Sequence, residues 1–222
     1  MTETGQVTVS DTVRWLHEEG LPRLVGVAAR MSNPVVAYTV DVATGTVTAH
    51  PTTSVGAGSD VFTLAADDLP HPQGSARRLV IIGVTVSDAV LVVDLATSLG
   101  ISINADQPAE AARAWVMQLL LNPEITLTTN SAAVAVTGAA RYRRTYIPGA
   151  DAMIINVDDR RPPVTTVTLN AIDEGPDHLD VAADGAGEMY LGSRFWRLRE
   201  VLRIGDNSWT TLASTLTTAS GN

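Results

Sequence analysis

The sequence predicts an α/β or α+β fold: a mixed sheet with a βαβ-like centre, a C-terminal β-meander and a C-terminal helix. Three observations carry this. Leu79–Val86 and Ala89–Ala96 are continuous apolar runs of strand length, rich in Val and Ile, as strands covered on both faces require. Between the strand-like stretches Gly100–Asn104 and Ile125–Thr129, Ala112, Trp115, Val116, Leu119 and Leu120 recur at helical spacing. Near the C-terminus, Trp209, Leu212, Ala213 and Leu216 form a narrow apolar stripe among threonines and serines.

Taken in order, residues 1–10 read as a polar arm or edge strand. Asp11 reads as the N-cap of a short helix through Glu19, ended by Gly20. Leu24–Met31 and Val35–Val42 read as strands around the turn residues Ser32-Asn33-Pro34. Thr44-Gly45 closes a hairpin into Thr46–Ala49. Pro51–Ser59, with Gly56 and Gly58, reads as a loop, Val61–Leu64 as a short strand and Asp67–Ser75 as a second loop. That second loop marks a boundary between an N-terminal region, 1–75, and a main α/β region, 76–222, unless the two form one continuous domain.

The remaining elements follow from the same signals. Asp106 is expected to cap a helix that tolerates Pro108 in its first turn and stops at Asn122-Pro123. With its flanking strands this helix makes a βαβ-like unit over residues 100–129. Residues 138–150 look irregular. Ala152–Val157 and Val164–Leu169 read as strands. His178–Ala183, Glu188–Leu191 and Phe195–Leu202 read as a meander with a turn at Ala183-Asp184-Gly185. Asp206 is expected to cap the final helix, whose stripe needs burial against the meander because Thr and Ser are poor helix formers.

Composition removes several function classes. The 222 residues contain no cysteine, which excludes a disulfide framework, thiolate metal sites and a cysteine nucleophile. All 15 basic residues are arginine, so there is no lysine for a Walker A loop, a Schiff base or a general base. A formal charge of −9 argues against a nucleic-acid-binding surface. The apolar runs are too short to cross a bilayer, and Glu3 with no following apolar stretch is not a secretory signal, so the expected place is the cytoplasm or an assembly built there. The arginine-only, Ala/Val/Thr-rich usage is associated with high-GC genomes such as those of actinobacteria and their phages.

Few residues suggest chemistry. The segment GISINADQPAEAARAW lies where a P-loop would, but it lacks the glycines and the lysine, and Asp106 and Glu110 set negative charge where phosphate would bind. Asp177, His178 and Asp180 suit a hard cation by residue type, yet the EF-hand spacing is absent and DEGPD is ordinary turn composition. The four histidines are scattered, and no nucleophile elbow or metalloprotease motif occurs. Arg141, Tyr142, Arg143, Arg144 and Tyr146 interleave basic and aromatic residues. On so acidic a chain this run reads as a salt-bridged loop or a contact to an acidic protein surface rather than to nucleic acid. No catalytic, cofactor or metal residue is assigned.

Gly83, Asp94, Leu95, Gly100, Asp106 and Pro123 within residues 79–125 carry a resemblance. The pattern is an apolar strand ending in Gly, a short hairpin, a strand ending in Asp-Leu, a short strand and a capped helix. It resembles an α/β region of large actinobacterial membrane-anchored proteins with LysM or bacterial-transcriptional-activator-type domains, and residues 178–217 are similar in outline. The resemblance implies a P-loop-like scaffold without nucleotide chemistry, used for assembly, and it carries over no active-site residue. The expected function is a non-enzymatic scaffold or interaction subunit of a larger actinobacterial assembly, with protein partners or self-association and no cofactor. The alternatives are a tail or head-tail protein of an actinobacteriophage virion, and an enzyme whose acid–base site is assembled only in space.

Overall fold

The computed structural model describes residues 7–52, 61–72, 77–136, 138–172 and 175–219, with backbone alone for 217–219. Its helices are α1 (Val9–Trp15), α2 (Leu21–Ala28), α3 (Pro108–Leu121) and α4 (Asp206–Ala219). The strands before α3 are β1 (Val35–Asp41), β2 (Val47–Pro51), β3 (Phe62–Leu64), β4 (Leu79–Thr85), β5 (Ala89–Asp94) and β6 (Gly100–Asn104). Those after it are β7 (Thr126–Thr129), β8 (Tyr142–Arg144), β9 (Met153–Asp158), β10 (Thr165–Leu169), β11 (His178–Val181), β12 (Gly187–Leu191) and β13 (Arg194–Val201). These strands make one mixed sheet in the order β3-β2-β1-β5-β4-β13-β12-β11-β6-β10-β9-β7-β8. The α/β or α+β class is therefore as expected. Strands from both sides of residue 75 are neighbours, since β1 pairs with β5 from Ala37↔Val93 to Asp41↔Ala89.

The apolar runs at 79–95 form the antiparallel hairpin β4–β5, and alternation divides them between two cores. Leu79, Ile81, Val90 and Val92 face a cluster with Leu16, Leu21, Leu24 and Val27 of the N-terminal helical segment. Val80, Ile82, Leu91 and Val93 face a larger cluster with Trp115, Leu119 and Trp209. Burial on both faces is what excludes polar residues from these strands. At Gly83 the backbone of β13 comes so close that a Cβ would lie 2.2 Å from the Glu200 carbonyl oxygen, so only glycine fits.

Several local expectations need correction. Helix α1 starts at Val9, so residues 7–10 are not an edge strand, and residues 1–6 lie outside the described residues. Its N-cap is Thr8, not Asp11. The Thr8 hydroxyl accepts from the Asp11 amide at 3.2 Å and the Asp11 carboxylate accepts from the Thr8 amide at 3.1 Å, a reciprocal capping box. Gly20 does not end the helical run. Residues Leu16–Gly20 widen into a π-turn, in which the Leu21 amide donates to the Leu16 carbonyl. The wide turn lies where Pro22 would otherwise set its ring against the Glu18 carbonyl, and α2 continues beyond it. The expected strand at 24–31 is thus helical. Leu21, Leu24 and Val27, three apart, are all buried, and an eight-residue apolar run is too short to separate the two periods.

In the centre, the N-cap of α3 is Gln107 rather than Asp106, because Pro108 occupies the first helical position. The expected stripe from Ala112 to Leu120 is buried. Strands β6 and β7 flank α3 in sequence but are not neighbours: β10 and β9 lie between them. The βαβ-like unit is therefore split by two inserted strands. The stretch 138–150 is not wholly irregular, since Tyr142–Arg144 forms β8, parallel to β7 at the edge of the sheet. Asp206 is the first residue of α4 rather than its cap. The Trp209 amide donates to Gly205, and the Asp206 carboxylate accepts from Arg113 of α3 at 2.6 Å. Trp209 is buried in the larger core with Leu198 and Val201 of β13, and the Arg113 guanidinium lies 5.7 Å from its ring centroid. The loop expected at 51–59 falls largely on residues 53–60, and the second loop partly on 73–76, outside the described residues.

Candidate interaction face

Among the described residues, the two cores leave one part of the sheet uncovered. On the side where α1 and α2 cover β1, β4 and β5, the strands from β13 to β8 carry no helix among the described residues. Alternation decides what this face presents. Ile101 and Ile103 of β6 and Leu179 and Val181 of β11 point into the larger core, so Ser102, Asn104, His178 and Asp180 point away from it. By the same rule Met189 and Leu191 are inward and Glu188 and Tyr190 outward on β12. On β10 and β9 the outward residues are Thr166, Thr168, Ile154 and Asn156.

Register organises these side chains into rows. His178 pairs with Tyr190, and Tyr190 with Phe195, so three rings stand side by side across β11, β12 and β13. Their centroids are 4.4 and 4.9 Å apart. The adjacent row is Asn104, Asp180, Glu188 and Arg197. Asn104 Nδ2 donates to Asp180 Oδ1 at 2.9 Å, and Arg197 Nε approaches Glu188 at 3.5 Å. The Tyr190 hydroxyl donates to Glu188 at 2.8 Å, and that bond holds the phenol above its ordinary pKa. This row borders a cleft of about 590 Å³. Asn104 Oδ1 and Ser102 Oγ are buried without a hydrogen-bond partner among the described residues. Such atoms each cost about 1–3 kcal/mol when nothing pairs with them.

The residues singled out in sequence are divided by the structure. Arg141 turns inward and donates to the carbonyls of Leu120, Asn122 and Ile125 at 2.7, 2.5 and 2.9 Å, where α3 ends. It thereby satisfies orphan carbonyls at the negative end of the helix dipole. Tyr142 is buried. Arg143, Arg144 and Tyr146 are exposed, Tyr146 at 83%. Arg143 is in register with Thr128 at the far rim of the uncovered face. Asp177 and His178 do not converge: Asp177 accepts from Ser98 and from the Gly192 amide, whereas His178 Nδ1 contacts the Gly175 carbonyl oxygen at 2.9 Å. His178 Nε2 stands 3.8 Å from Asp180. Among the described residues no group of three or more potential metal ligands occurs.

A second cleft, of about 300 Å³, opens at the C-terminal end of β6, which runs parallel to both β10 and β11. Such a switch point often receives a ligand phosphate at a helix N-terminus. Here Asp106 and Glu110 line it, and Glu110 lies 3.5 Å from Arg203 in an internal ion pair. The negative charge expected from the sequence at this helix start is in place. Among the described residues no helix is long and apolar enough to cross a membrane.

No protein family, curated relative or solved structure matches this chain.

Sequence reasoning missed the row formed by Asn104, Asp180, Glu188 and Arg197. Part of the signal was legible, because the polar residues alternate with core residues along the meander. The missing part was register between strands far apart in sequence, β6 with β11 above all.

Proposed function

We propose that the chain is a non-enzymatic interaction subunit of a larger actinobacterial assembly, docking a protein partner on the face from β13 to β7. The observation that supports this reading is the uncovered face itself. It is crossed by an aromatic row, bordered by a cleft and rimmed by the exposed Arg143. The acid–base alternative has less support. His178 Nδ1 contacts the Gly175 carbonyl, Nε2 stands 3.8 Å from Asp180, and the neighbouring Ser102 hydroxyl is without a hydrogen-bond partner among the described residues.

Native mass spectrometry of the chain isolated from its source tests the reading. A stoichiometric protein complex is expected, lost when Thr168→Arg places a charge in the middle of the face and leaves the melting temperature of the free chain unchanged. A complex indifferent to Thr168→Arg overturns it.

A further inference from the structure

Asp180 and Glu188 are paired in register across β11 and β12, on the uncovered face. Carboxylates directly opposite each other repel, and the described residues that reach them are Tyr190, whose hydroxyl donates to Glu188 at 2.8 Å, and Arg197 on one side, Asn104 and, at 3.8 Å, His178 on the other. Arg197 comes to 3.5 Å from Glu188, too far for a hydrogen bond, with its side chain 68% exposed. Asp180 receives one amide proton from Asn104. Because the Asn104 nitrogen is committed there, the atom left over is its Oδ1, an acceptor, and it is buried. Two residues earlier on the same face of β6, Ser102 is 4% exposed and its hydroxyl is equally unpaired. An acidic pair and an orphaned acceptor thus line one cleft of about 590 Å³, with the Ser102 hydroxyl two positions back along β6 and outside its lining.

We infer that this cleft receives an arginine side chain of a protein partner. The site has an excess of acceptors, and a guanidinium offers five donors in a planar fork that matches a carboxylate. The chain's formal charge of −9 draws a cationic segment toward it. The inference rests on the docking reading above and adds the chemistry of what docks.

The test is titration of the ¹⁵N-labelled full chain with acetyl-Arg-Arg-Arg-amide, followed by NMR. Saturable shifts are expected at the Asn104 side-chain amide and at the backbone of residues 180 and 188, with a dissociation constant below about 1 mM. Asp180→Asn with Glu188→Gln, melting like the wild type, should bind at least about tenfold more weakly. The matching trilysine peptide should bind less well than triarginine. Absence of saturable shifts overturns the assignment, as do shifts that the double substitution leaves unchanged, which mean general attraction to an acidic surface. A dimer of the chain alone, abolished both by the double substitution and by Arg143→Glu with Arg144→Glu, makes a second copy the donor and overturns the assignment to a separate partner. If triarginine fails to bind while Thr168→Arg still dissolves the native complex, the arginine site is wrong and the docking face stands.

Discussion

Arg78 and Asp159 form an ion pair of 2.6 Å whose side chains are 1% and 5% exposed. Arg78 immediately precedes β4, and Asp159 lies in the connection from β9 to β10. The same guanidinium donates to the Arg161 and Pro163 carbonyls and to the Thr165 hydroxyl. One side chain thereby fixes the entry into β10. Asp159→Ala leaves a buried cation without its counter-charge and should destabilise by about 3–5 kcal/mol in urea unfolding. A loss below about 1 kcal/mol, well under that range, contradicts the structural role given to the pair.

The basic run at 141–144 should separate into two kinds of arginine. Arg141→Ala removes three hydrogen bonds to carbonyls at the end of α3 and should cost about 1–3 kcal/mol. Arg143→Ala and Arg144→Ala, at exposed positions, should stay within about 0.5 kcal/mol of wild type. Denaturant unfolding of the three single variants is the check, and equal effects refute the division.

Trp209 anchors α4. The helix is rich in Thr and Ser and is marginal without burial of its stripe. Trp209→Ala empties a site only 7% exposed and removes the ring beneath Arg113, so about 3–5 kcal/mol should be lost. Helicity that survives unchanged, with stability intact, would show that α4 does not depend on this anchor.

Histidine 50 gives the fold a pH slope of known sign. Burial, with the nearby Arg194 charge, lowers its pKa from the ordinary 6.5 to about 4. Its Nε2 is 3.0 Å from the Thr39 hydroxyl, and its ring meets Trp196 edge-on at 5.3 Å. The unfolded chain therefore takes up the proton first. Stability should fall as pH drops from about 6.5 toward about 4. The difference between wild type and His50→Gln in thermal unfolding should change across that window and level off above it.

The parts of this fold legible in the sequence are those set by local physics. The two-sided burial of β4 and β5 shows in their unbroken apolar runs, and the buried face of α3 shows in its helical spacing. The caps were less legible. Thr8 and Asp11 share a capping box, so either one satisfies the local pattern, and Pro108 moves the start of α3 past Asp106. The stretch 24–31 failed because its length fits either period. The candidate site was hidden for another reason: Asn104 and Asp180 are brought together only by the parallel pairing of β6 with β11. Arg141 shows the converse. Its residue type suggested a surface contact, whereas its position beyond α3 gave it three carbonyls to cap.

The docking face is tested most directly by footprinting the chain alone and within its native complex, with carboxyl labelling and hydroxyl radicals read out by mass spectrometry. Complex formation should shield Asp180 and Glu188 from carboxyl labelling and Tyr190 and Phe195 from oxidation, while the exposed Phe62 of β3 on the opposite edge of the sheet remains reactive. Unchanged labelling at all four shielded positions, in a complex that demonstrably contains the chain, would contradict the assignment of this face as the docking surface.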